Sequence, residues 1–136
     1  MRLSKWIGGA ALAAALVVGS SGIPAWAAGM HGLPWRSPNK ITSGVPVEVA
    51  SIASCPAVPT PGDSVLVQIN LSFGPGGSSG QVLAANPDGS WSGSVTFSFS
   101  GVNIRHTTIS AECLDFNGIT GVPYAQYMVR HTQIFA

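Results

Sequence analysis

The sequence reads as an all-β chain folded into an antiparallel sandwich of about seven strands. Apolar residues recur at every second position in several segments, the period of a half-buried strand. Clusters of Gly, Pro, Asn and Asp separate those segments at short intervals, as turns do. No segment carries apolar residues at the three- and four-residue spacing that an amphipathic helix needs.

Residues 1–27 read as an export signal. Arg2 and Lys5 make a basic start, residues 7–18 are apolar, and Ala25-Trp26-Ala27 supplies small residues at cleavage spacing. The apolar run falls short of the ~20 residues of a membrane span. An uncut anchor is the alternative. No hydrophobic tail follows at the other end, so a secreted, extracellular mature chain with no membrane span is expected. Residues 28–44 contain Gly29, Gly32, Pro34 and Pro38. They read as a flexible leader, or as an edge strand pinned by Leu33 and Trp35.

The sandwich is expected over residues 45–136. Val45, Val47 and Val49 alternate with Pro46 and Glu48. Residues 64–73 form the clearest strand. Val65, Val67, Ile69, Leu71 and Phe73 share one face, and polar residues take the other, with Leu66 the exception. A glycine-rich loop, residues 74–80, leads to a short strand over 81–85. Asn86-Pro87-Asp88-Gly89 is a turn, since Pro87 presets φ and Gly89 tolerates positive φ. Residues 91–99 follow, with Trp91, Val95, Phe97 and Phe99 on one side. Residues 104–114 place Ile109, Ala111 and Cys113 on a shared face. Asn117-Gly118 marks another turn, and residues 124–135 close the chain as a long last strand, with room for a bend.

Cys55 and Cys113 are the two cysteines. In an exported chain a pair of this kind forms a disulfide. Closing a loop of this length stabilises by ~4 kcal/mol in the chain-entropy model. Two free buried thiols are the alternative, and two cysteines alone do not make a closed zinc site.

Several short motifs carry a resemblance. Val47-Glu48-Val49 followed by Cys55-Pro56, then Pro61-Gly62-Asp63-Ser64-Val65, then Asp88-Gly89-Ser90-Trp91, then Ala111-Glu112-Cys113, is similar to bacterial immunoglobulin-like domains of exported actinobacterial proteins. The match covers roughly residues 45–135. It implies an immunoglobulin-like sandwich acting as a structural or binding module at the cell exterior, and it supplies no catalytic residues. Antitumour chromophore-carrier apoproteins share the general size and sandwich, but they normally carry a second disulfide that this chain lacks.

The chemistry in the sequence is sparse. After cleavage the basic residues are Arg36, Lys40, Arg105 and Arg130, against Glu48, Asp63, Asp88, Glu112 and Asp115. No clustered basic face for nucleic acid is visible. Gly62-Asp63-Ser64 resembles the serine block of GDSL-type hydrolases. The matching Asp-x-x-His is absent, because neither His106 nor His131 has an Asp three residues before it. Gly-x-Ser-x-Gly is also absent. His106, His131 and Glu112 lack the i, i+2 spacing of strand-borne metal ligands. The carboxylates are scattered, three of them in or beside turns, which does not suit a glycosidase pair. The glycine-rich loop has no Lys-Ser/Thr for a phosphate. Trp91, Phe73, Phe97, Phe99 and Tyr127 could stack on a sugar or flat ligand, but their strand faces make them core. The expectation is a non-enzymatic exterior module without metal or cofactor, with an unidentified protein or cell-surface partner. The alternative is a carrier of a small hydrophobic ligand in a cavity between the sheets.

Overall fold

The computed structural model describes residues 32–73, 77–101 and 107–136. The export signal, part of the glycine-rich loop and His106 lie outside the described residues. Nine strands are present among them: β1 Trp35–Arg36, β2 Lys40–Thr42, β3 Val47–Ser51, β4 Ser64–Ser72, β5 Ser78–Ala84, β6 Ser92–Val95, β7 Thr107–Phe116, β8 Gly121–Gln126 and β9 Arg130–Phe135. They form two sheets. The smaller has the order β1-β3-β6. The larger has the order β2-β9-β7-β4-β5, with β8 also paired to β7.

The centre of the larger sheet follows from alternation. β4 pairs along its whole length with β7, from Ser64 opposite Phe116 to Ser72 opposite Thr108. On the inner face this register aligns Val67 with Cys113, Ile69 with Ala111 and Leu71 with Ile109. All six are buried and pack against Val49, Val95 and Trp35 of the smaller sheet. The two sheets therefore enclose one core, the arrangement that alternating strands permit.

Two outcomes refine the sequence-based picture. From Leu33 onward the segment follows the edge-strand reading and not the flexible leader. β1 pairs antiparallel with β3, and β2 pairs parallel with β9, so the first segment passes from one sheet to the other. Trp35 and Ile41 anchor it in the core. Pro38 lies in the crossing between β1 and β2, where no ladder hydrogen bond is lost. The long last strand is also broken into β8 and β9, both against β7, with a register irregularity at Cys113/Leu114. Between them, Tyr127 turns inward and the Leu33 carbonyl accepts the Met128 amide at 3.0 Å. With these short strands separate, the count is nine instead of about seven.

The segment after β6 leaves the sheet ladder but stays tied. Ser43 Oγ donates to the Phe99 carbonyl at 2.6 Å and accepts from its amide at 2.8 Å. The Gly44 amide donates to the Phe97 carbonyl at 2.8 Å. These bonds hold Phe97 in the core and Phe99 against Phe73, ring centroids 5.4 Å apart.

Candidate functional site

The disulfide expected from the sequence is present. Cys55 and Cys113 are joined across a sequence separation of 58, with Cα atoms 6.0 Å apart. Cys55 lies in the β3–β4 connection and Cys113 in β7. Beside it stands a cluster of three aromatic rings. Trp91 meets Tyr127 edge-on at 5.2 Å and Trp35 at 6.0 Å. Their polar tips are satisfied, as buried indoles and phenols require. Trp91 Nε1 donates to the Tyr127 hydroxyl at 2.9 Å, and that hydroxyl donates to the Ala53 carbonyl at 2.7 Å. Trp35 Nε1 donates to the Met128 carbonyl at 2.6 Å. These aromatics are core and form no stacking platform.

The candidate catalytic and metal residues do not converge. Ser64 begins β4 opposite Phe116, with no histidine paired to it. His131 is exposed and opposite Thr108, whereas Glu112 lies four residues further along β7, roughly 13 Å at strand rise. Among the described residues no group of three His, Cys, Asp or Glu side chains is placed to hold a metal ion.

Two features were not read from the sequence. The first is the outer face of the larger sheet, turned away from the core. An antiparallel sheet with one wet face should be polar there. Here Leu66, Leu114 and Pro123 align in one row, with Phe116 and Val82 nearby. The next row is Gln68, Glu112 and Gln126. Gln68 is 0 % and Glu112 5 % exposed, and neither Gln68 side-chain atom nor Glu112 Oε1 has a hydrogen-bond partner. Burial pushes the Glu112 carboxyl up to about 7. The smaller sheet packs on the opposite face. Leu66, the exception in its strand, was the signal; Leu114 and Phe116 are its partners once the register is known.

The second is a cavity of about 910 Å³ at the end of the sandwich next to the disulfide. It is bounded by residues 55–58, the start of β4, the end of β5 and the Asn86–Gly89 turn. Asp63 on its wall faces Asp115; a hydrogen bond to Asp115 that only a protonated carboxyl can make raises the Asp63 pKa, with burial and the Asp115 charge adding to it. Asp88 is held below the usual carboxylate range because Ser90 donates to it from both hydroxyl and amide, at 2.6 and 3.0 Å.

Among the described residues no helix is long and apolar enough to cross a membrane. Comparison with family models, with curated proteins and with solved structures returned no match.

Proposed function

We propose that this chain is an exported, non-enzymatic module of immunoglobulin-like fold that binds a protein partner through the outer face of its larger sheet. The observation that carries the reading is the composition of that face. Five buried apolar side chains and a row of amide and carboxyl groups occupy a sheet face where polar, solvent-facing residues are expected. Gln68 brings a donor and an acceptor, and Glu112 a further oxygen, without partners of their own. Peptide groups of a bound polypeptide match both, and the apolar row beside them supplies the desolvated centre that interfaces favour.

The immunoglobulin-like reading draws support from strand order. β1-β3-β6 corresponds to strands A, B and E, and β9-β7-β4-β5 to G, F, C and an added C′ strand. The bridge departs from the usual pattern, because Cys55 follows β3 instead of lying within it. Export draws support from the disulfide, which persists in oxidising compartments. The alternative carrier reading needs room between the sheets; Trp35, Trp91, Phe97 and Tyr127 fill the core there.

Immobilised chain 28–136 and its variant Gln126→Arg, a partly exposed residue of the same row, exposed to native culture medium and cell-envelope extract, test the proposal by mass spectrometry. Proteins retained by the parent and lost from the variant, at unchanged circular dichroism, support it. Equal retention by both, or none by either, contradicts it. Esterase, protease and glycosidase panels are expected to read at buffer level; activity abolished by Ser64→Ala would overturn the non-enzymatic part.

A further inference from the structure

The cavity beside the disulfide has walls that are each fastened in place. Cys55 is bonded to Cys113, and its amide donates to the Gly89 carbonyl at 2.9 Å. Gly89 has φ +88°, and a Cβ there would clash with the Cys55 carbonyl, so the turn closes on the loop only with glycine. The Pro56 carbonyl accepts the Tyr124 hydroxyl at 2.6 Å. Asp115 accepts the Thr60 amide at 3.2 Å, and the Ala85 amide donates to Val65 at 3.2 Å. A cavity held this way is largely formed before any ligand arrives, and its volume falls in the range that small molecules occupy.

The lining has one chemical bias. Pro56, Val58, Val65, Ala85 and Pro87 make it apolar, and its two ionisable side chains, Asp63 and Asp88, are both acidic. Among the described residues no Lys, Arg or His lines it. Asp88 is already engaged by Ser90, whereas Asp63 stands beside the Asp115 carboxyl, and a cation placed there relieves the repulsion between the two. We infer that this cavity binds a small apolar molecule bearing one cationic centre, with its body against Val58 and Val65 and its cation on Asp63. The site is separate from the partner-binding face and does not depend on it.

Three fluorescent probes with one dansyl body test this on chain 28–136: dansylcadaverine, its neutral N-acetyl form and anionic dansylglycine. Dansylcadaverine should bind most tightly and dansylglycine most weakly. Asp63→Asn should weaken dansylcadaverine roughly fivefold and leave the neutral probe unchanged, the effect of one solvent-screened charge pair. Val58→Arg should abolish binding of all three with circular dichroism unchanged. Gln126→Arg should leave all three affinities unchanged, so a failure here is distinct from failure of the partner face. Equal affinity for the three probes, no binding of dansylcadaverine, or binding that survives Val58→Arg, would overturn the inference.

Discussion

Trp91 joins the turn, the aromatic cluster and the disulfide region in one side chain. It follows the Asn86–Gly89 turn, is buried, and hands its indole proton to Tyr127, whose hydroxyl sits 3.6 Å from Cys55 Sγ. Removing it leaves a large cavity and takes from the Tyr127 hydroxyl the hydrogen bond it accepts. Trp91→Ala is therefore expected to lower stability by about 3–5 kcal/mol, measured by chemical denaturation. In the Trp35→Phe background, where Trp91 is the one indole of chain 28–136, emission should be blue-shifted and resistant to quenchers. Glu112 makes a second expectation at this scale. Burial raises its folded pKa from the ordinary 4.5 to about 7, so the folded chain keeps a proton that the unfolded chain releases. That stability is complete below about pH 4.5 and is lost as pH rises through 7. The loss is at most about 3 kcal/mol between pH 4.5 and pH 8 in the full chain. Glu112→Gln should flatten this dependence in urea titrations at the two pH values.

Among the elements, β2 departs most from its sequence signal. Three residues between Pro38 and Gly44 offer no alternation to read, yet Ile41 is fully buried and pairs with Ile134 of β9. Ile41→Ala should destabilise by about 2–5 kcal/mol, as for a core residue. A change within about 0.5 kcal/mol would mark the segment as a loose leader instead. β4 is the opposite case. Its alternation places Val65, Val67, Ile69 and Leu71 on one face, as the structure does. The local residues do not reveal its partners. Because a strand's neighbours are set by long-range pairing, the rows Leu66–Leu114–Pro123 and Gln68–Glu112–Gln126 exist only once register is known. For the same reason the contact between Asp63 and Asp115, distant in sequence, left no local trace. The Asn86–Gly89 turn was legible because its residues carry their own φ preferences: Gly89 adopts +88° and donates to the Asn86 carbonyl at 2.8 Å.

For the molecule as a whole, the disulfide ties the β3–β4 connection, from the smaller sheet's side, to the centre of the larger sheet. Replacing both cysteines by alanine should cost about 2–5 kcal/mol in the same denaturation assay. Intact chain should show no thiol that labels without reductant. The cysteine pairing was legible because two cysteines allow one pairing, whereas the cavity beside it was not, since three separate segments build its walls. The outer face of the larger sheet decides the functional account. Hydroxyl-radical footprinting of chain 28–136, alone and with its captured partner, measures it directly. The account predicts that the captured partner lowers the oxidation of Leu66, Leu114 and Phe116 below its level in the free chain. Val67 and Ile69 should stay protected in both. Equal oxidation of Leu114 and Phe116 with and without partner would contradict a binding role for this face.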